Sequence, residues 1–274
     1  MKRNLTGPPR TNSPYRILRA LTAGLIVFGL AACKSKPREA LSASVPPKVD
    51  LKSTEQMFEP DIARFEQMER DSPSAKGGIV FTGSSSIRLW ETLEADMAPL
   101  PVINRGFGGS IIRQVSHYTE RIVLPLQPKL IVLYCGENDI ANDVYPHTDP
   151  LQNYQDFVAI IRHHLPDTPI LYLAMKPSPL RWPYWEKFAR GNRLIEEYTQ
   201  READLEYIDV SEVMLGVDGR PQPEIFVSDS LHMNADGYAQ WTALIRPAVE
   251  RLWEKVNAPG QKADQRPRGT QRKD

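Results

Sequence analysis

KLIVLYCGEND, residues 129–139, is the stretch whose reading decides the fold. Six residues from Leu130 to Cys135 carry no charge, and a glycine, two acids and an asparagine follow at once. A strand apolar on every side chain, rather than on alternate ones, must be covered on both faces. Working outward, four more runs of this kind appear: GIVFTG (78–83), PVINRG (101–106), PILYLAM (169–175) and LEYIDV (205–210). Helical spacing separates most of them, as in NYQDFVAIIRHHL (153–165), YWEKFARGNRLIEEYTQ (184–200) and GYAQWTALIRPAVERLWEKV (237–256). This alternation predicts an α/β protein, a three-layer α/β/α sandwich on a mainly parallel sheet of about five strands. PDIARFEQMERD (60–71) adds a helix expected on the outside of the domain. No internal repeat is visible.

In such sheets ligands bind beyond the carboxyl ends of the strands, so the residues just after each apolar run carry the information. After the first run stands GSSS (83–86), after the second NRGFGGS (104–110), and after the third CGEND (135–139). Before the last helix stands VSDSLHMN (227–234). Asp229 and His232 fall one turn apart if the segment is helical, which makes Asp229 an orienting acid for the His232 imidazole as general base. Asn138 offers a side-chain amide and Gly109 an unobstructed backbone N–H, and both suit an oxyanion hole. A serine nucleophile completes such a set, but three consecutive serines leave its position open.

The four blocks, in this chain order, resemble those of the SGNH hydrolases, also called GDSL-like esterases and lipases. The resemblance covers residues 78 to 254 and implies a flavodoxin-like α/β/α fold. Matching the family's Gly-Asp-Ser to Gly83-Ser84-Ser85 makes Ser85 the nucleophile. The second block places its glycine at Gly109, the third is Gly136-Glu137-Asn138-Asp139, and the last is Asp229-Ser230-Leu231-His232. The resemblance therefore implies a triad of Ser85, His232 and Asp229, with Ser85, Gly109 and Asn138 as oxyanion donors. The chain departs from the family at Ser84, which stands where the family has aspartate.

Competing chemistries fail on specific residues. An α/β-hydrolase elbow needs G-x-S-x-G, and Ile87 stands two residues after Ser85. A dinucleotide loop needs a third glycine where Ile111 stands. His163 and His164 are adjacent on a helix and point apart, and His117 and His147 have no partner pattern, so no metal is implied. No cofactor is required. The loop KPSPLRWPYW (176–185) follows the fourth run and should overhang the same edge, where Arg181 and Trp182 are candidate substrate-binding residues. Trp182 reads equally as a packing ring; Trp90 and Trp185 read as packing rings, and Cys135 as a small core residue.

The N-terminus carries a different message. Residues 1–32 hold five basic side chains and no acid, ending in the apolar run ALTAGLIVFGLAA (20–32). Thirteen residues fall short of the ~20 that span a bilayer, which predicts a signal peptide. LAAC (30–33) resembles the lipobox of bacterial lipoproteins, which implies lipid on Cys33 and a protein held on a membrane of the cell envelope. Lys34 implies, by that family's sorting pattern, the outer membrane with the domain facing the periplasm. Residues 33–53 are then a tether, 54–257 the hydrolase domain, and the Gly-, Gln- and Arg-rich 258–274 a disordered tail. Without residues 1–32 the basic count falls from 34 to 29 against 34 acids, a net charge of −5 that argues against nucleic acid as a partner. A lipidated Cys33 leaves only Cys135, so no intrachain disulfide can form.

The functional expectation is a serine esterase acting through an acyl-enzyme on short-chain acyl or acetylated-glycan esters. The alternatives are an acyltransferase on envelope glycans, in which a sugar hydroxyl replaces water, and a non-catalytic glycan-binding lipoprotein.

Overall fold

The computed structural model describes residues 55–141 and 148–258. The expected signal peptide, Cys33, the tether and the tail from residue 259 lie outside the described residues, as does His147. The chain runs α1 (Glu55–Asp71), β1 (Ile79–Gly83), α2 (Ser85–Arg88), α3 (Leu93–Met97), β2 (Val102–Gly106), α4 (Ile112–Ile122) and β3 (Leu130–Tyr134). It continues through α5 (Glu137–Ala141), α6 (Pro150–His164), β4 (Ile170–Leu173), α7 (Trp185–Thr199), β5 (Leu205–Ile208) and α8 (Ala235–Asn257).

Each of the five apolar runs forms a strand, and the strands make one sheet in the order β2-β1-β3-β4-β5 with every pair parallel. Every residue of β1, β3 and β4 is buried. The period-2 alternation of strand side chains divides them between two cores. Ile79, Phe81, Leu130, Val132, Leu171 and Leu173 face one side, where Trp241, Ile245 and Val249 of α8 cover them. Val80, Ile131, Leu133, Ile170 and Tyr172 face the other, under residues of α1, α4 and α6. A strand read as apolar throughout is therefore a strand serving two helical layers.

α1 begins five residues earlier than the sequence pattern suggests, with Pro60 in its interior. Phe58, in that earlier turn, is buried against the Phe107 ring, with centroids 5.1 Å apart. Burying a phenylalanine outweighs the hydrogen bond that the proline removes. Phe58, Ile62 and Phe65 recur at i, i+4 and i+7, so α1 is part of the core layer as well as an outer helix. Among the described residues no helix is long and apolar enough to cross a membrane.

The topology decides where chemistry can sit. The chain passes from β1 outward to β2, then returns past β1 to β3, so connections leave the centre of the sheet in opposite directions. Ligand crevices open beyond the strand ends at such a switch point. The register levels those ends, since Gly83 pairs with both Gly106 and Tyr134. The loops carrying Ser85, Gly109 and Asn138 therefore start side by side.

Candidate active site

Ser85 opens α2 directly beyond β1. Gly83 makes the turn possible, with φ of +132° and its backbone pressed against β3. A Cβ there would lie 1.9 Å from the Tyr134 carbonyl oxygen, so a side chain at this position is excluded. The Ser84 N–H then donates to that same carbonyl at 2.9 Å, which pins the loop to the central strand. Ser84 and Ser86 are 3% and 1% exposed. Ser85 alone of the three lines the open cleft.

His232 Nε2 lies 2.9 Å from Ser85 Oγ, and His232 Nδ1 lies 2.6 Å from Asp229 Oδ2. The two residues do not share a helical turn, as the spacing suggested. The segment is an irregular loop in which Asp229 Oδ1 accepts from the backbone N–H groups of Leu231 and His232, each at 2.9 Å. Aspartate side chains compete for nearby backbone N–H groups in this way, and Ser230 adopts a left-handed φ of +58° to close the loop. The loop is anchored outside itself by Leu180 N–H donating to the Ser230 carbonyl and Asn234 N–H donating to the Ile225 carbonyl. Asn234 also caps α8, its Oδ1 accepting from Gly237 N–H at 3.1 Å.

Desolvation raises the Asp229 carboxyl, but the His232 N–H, the imidazole and the Leu231 N–H together outweigh it and lower the group to about 2. A carboxylate at Nδ1 keeps that nitrogen protonated, which leaves Nε2 as the acceptor facing Ser85 Oγ.

The residues expected as oxyanion donors come from the neighbouring strand ends. Gly109 has φ of +85° with open space around its Cβ position, a backbone conformation that glycine adopts without strain. Asn138 Nδ2 donates to the Ser110 carbonyl at 2.9 Å, and its Oδ1 accepts from Arg181 Nη2 at 2.6 Å. Ser85, Gly109, Asn138, Arg181 and His232 line one cleft of about 350 Å³. Asp139, the next residue, accepts from Ile112 N–H at the start of α4 and from Asn153 Nδ2, which ties the Gly109 loop to α5. Burial, outweighing those bonds, pushes its carboxyl up to about 7.

Of the two substrate-binding candidates from the loop after β4, Arg181 reaches the cleft and Trp182 does not. The Trp182 ring stacks on Trp185 at 5.9 Å, has the Arg220 guanidinium 5.3 Å from its centroid, and does not line the cleft that holds Ser85. Trp90 is a core ring packed among Phe81, Tyr238 and Trp241. His163 and His164 pack edge to face, and His117 sits against Tyr118. Among the described residues no group of three metal-ligating side chains stands close enough to hold an ion.

The sequence missed four residues of the cleft wall: Asp61, Arg88, Gly108 and Leu231. Arg88 could have been suspected, three residues after Ser85 and so on the same short helix. Asp61 comes from α1, and nothing local links it to Ser85. A larger groove of about 560 Å³ lies between α1 and the β2 edge and shares Arg88 with the cleft, but contains no histidine to serve as a base.

Residues 71–240 match the model of the GDSL-like lipase/acylhydrolase family. Solved structures share the fold at low identity. One is a candidate platelet activating factor from Streptococcus pneumonia, with 20% identity, TM-score 0.63, and coverage of 71% of this chain and 93% of that one. A GDSL-like lipase from Bacteroides thetaiotaomicron has 20% identity and TM-score 0.60, covering 69% and 98%. A family 3 carbohydrate esterase from Clostridium thermocellum has 15% identity and TM-score 0.52, covering 66% and 100%. No curated protein matches the chain. With the family model spanning most of the folded residues and a serine–histidine–aspartate chain lying at its blocks, this chain belongs to the GDSL-like lipase/acylhydrolase family, the SGNH hydrolases, and is an ester hydrolase of that type.

Proposed function

We propose that the protein is a serine esterase that works through an acyl-enzyme and removes small acyl groups from polar alcohols, acetylated glycans in particular. The observation carrying the mechanism is the continuous hydrogen-bond chain Asp229–His232–Ser85, ending in a cleft that also holds Gly109 and Asn138. Ser85 Oγ attacks the ester carbonyl carbon while its proton passes to His232 Nε2. The negative charge that moves onto the carbonyl oxygen is met by the N–H groups of Ser85 and Gly109 and the Asn138 amide. Collapse breaks the bond to the alcohol, which leaves with the proton from His232, and the acyl group stays on Ser85. Water then attacks that acyl group, giving its proton to His232; Ser85 departs and regains the proton, and the carboxylic acid is released.

The cleft's composition supports the substrate class. Asp61, Arg88 and Arg181 are charged, and Leu231 is the sole apolar side chain among the described residues lining it. A long acyl chain needs an apolar wall along its length, because each buried methylene contributes about 0.8 kcal/mol. A polyhydroxylated alcohol instead suits the Asp61 carboxylate and the Arg88 guanidinium as partners. The carbohydrate esterase among the structural neighbours is in keeping with this reading. The address inferred from LAAC, a lipid-anchored protein on the periplasmic side of the outer membrane, would set the enzyme among envelope or imported glycans.

The test is a hydrolysis screen of the full chain against esters of one alcohol with acyl chains of increasing length, together with acetylated oligosaccharides. The proposal expects the highest kcat/KM with acetyl groups and release of free acetate. A kcat/KM that climbs steadily to long chains would replace this substrate class with lipids. Transfer of the acyl group to an added sugar in preference to water would make the protein an acyltransferase.

A further inference from the structure

Glu137 and Lys176 form a buried ion pair immediately behind the cleft. Their side chains are 5% and 1% exposed, and Lys176 Nζ lies 3.2 and 3.5 Å from the two Glu137 oxygens. The Tyr134 hydroxyl also donates to this carboxylate. Desolvation alone would raise the Glu137 carboxyl, but Lys176, Arg181 and the Tyr134 bond lower it overall. The ester-hydrolysis steps derived above use none of these four residues. Such a cluster costs desolvation, so its place beside Asn138 requires an explanation.

Arg181 connects the cluster to the chemistry. Its Nη1 lies 3.6 Å from Glu137 Oε1, and its Nη2 donates to Asn138 Oδ1 at 2.6 Å. One guanidinium thus grips two consecutive residues of α5. A guanidinium has donors and no acceptor, so it can engage the oxygen of the Asn138 amide and never its nitrogen. The Nδ2 hydrogens are left to the Ser110 carbonyl, at 2.9 Å, and to the cleft. With the amide reversed, its oxygen would face the growing negative charge and repel it. A cation on Oδ1 also polarises the amide and strengthens its N–H groups as donors.

We infer that Arg181 is a positioning residue for the Asn138 amide, braced by the buried Glu137–Lys176 pair, and not a contact for substrate. This rests on the reading of Asn138 as an oxyanion donor. A side chain that acts only through Asn138 must lose its effect once that amide is gone, and a substrate contact must keep it.

The test is a double-mutant cycle in the full chain, with kcat and KM measured on a soluble acetyl ester. Arg181→Met should lower kcat about 10-fold with KM near the wild-type value, as expected for one lost hydrogen bond to a charged group. Arg181→Lys should recover part of that loss, because an ammonium can still donate one bond to Oδ1. In the Asn138→Ala background, Arg181→Met should change kcat little. Two results would overturn the inference while leaving Asn138 as a donor: a rise in KM at unchanged kcat, or a full 10-fold loss that persists without the Asn138 amide. If Asn138→Ala alone left kcat intact, the donor reading would fail and take this inference with it. Should Arg181→Met not fold, Arg181→Lys alone and combined with Asn138→Ala closes the same cycle, and equal losses in both backgrounds would again overturn it.

Discussion

Asp229 keeps 45% of its side chain in solvent and His232 keeps 23%, whereas Glu137 and Lys176, behind the oxyanion donor, keep 5% and 1%. The base half of the site is held by backbone N–H groups three residues apart at most, with the Asp229 carboxylate gripped from its own loop. The oxyanion half is drawn from the ends of β2, β3 and β4 and depends on charges brought together by the sheet. An exposed acid–base pair can rely on short-range backbone bonds, since water screens whatever remains unpaired. A buried donor has no water to correct it, so its orientation must be imposed by groups from elsewhere in the chain. The two halves should therefore fail differently when disturbed.

The largest effect is expected at the nucleophile they share. Ser85→Ala should remove ester turnover, by a factor on the order of 10⁶ as for other serine nucleophiles, while Ser86→Ala keeps much of it. Steady-state assays on both variants, with circular dichroism to check folding, decide this. Full activity in folded Ser85→Ala protein would detach both halves from the chemistry.

Next comes the exposed half. Asp229→Asn should lower kcat by about 10⁴-fold, because an amide at Nδ1 permits the wrong imidazole tautomer. The wild-type pH profile sharpens the point. Asp229 is held at about 2 and so stays ionised throughout any working pH range. A base must be neutral to accept the Ser85 proton, so kcat/KM should fall on acidification through His232, together with Asp139, whose carboxyl is pushed up to about 7. The sign is one-directional: activity is lost as pH falls and returns as it rises. A profile that rose towards acid would contradict His232 as the base.

A smaller loss is expected at the buried half. Asn138→Ala should cost about 10²–10³-fold in kcat with KM little changed, because the bond strengthens only as charge develops on the carbonyl oxygen. A large rise in KM at constant kcat would make Asn138 a ground-state contact.

The smallest expected change in activity, and the clearest change in stability, belongs to Lys176. Lys176→Met leaves Glu137 buried with Arg181 and Tyr134 but without its nearest cation, which should destabilise the fold by about 3 kcal/mol. Urea unfolding at neutral pH measures this. Glu137 has a lowered pKa in the fold, so its contribution is present above the carboxylate range of the unfolded chain and lost as pH falls through the lowered value. Lys176→Met should weaken that acid-side dependence. A variant as stable as the parent would show that the pair is dispensable and that the two halves are braced alike.

Much of this architecture was legible before any coordinates. The five strands could be read because a parallel strand covered on both faces must be apolar at every position, a demand that leaves a mark on consecutive residues. The nucleophile loop, the Gly109 loop and the Asn138 block could be read because α/β sheets place function just after strands. Local geometry was less accessible. Asp229 and His232 meet through an Asx-type loop with Ser230 in the left-handed region, and the nine residues between a short 3-10 helix and α8 carry no period to reveal it. The surroundings of Trp182 are equally non-local, since the Arg220 guanidinium reaches its ring from a hairpin thirty-odd residues on.

By itself, then, the sequence determined the strand and helix order and the family, and it named Ser85, His232 and Asp229, which the fold brings into one hydrogen-bonded chain. These are properties of short segments, set by periodicity, by turn chemistry and by residues a few positions apart. Only the tertiary structure decided that Asp61 and Arg88 wall the cleft, that α1 belongs to the core, and that Arg181 donates to Asn138 Oδ1 while Glu137 and Lys176 pair behind it. The reason is physical: contacts between buried charges on different strands depend on distance and dielectric in the folded state, and neither is encoded within a short window of sequence.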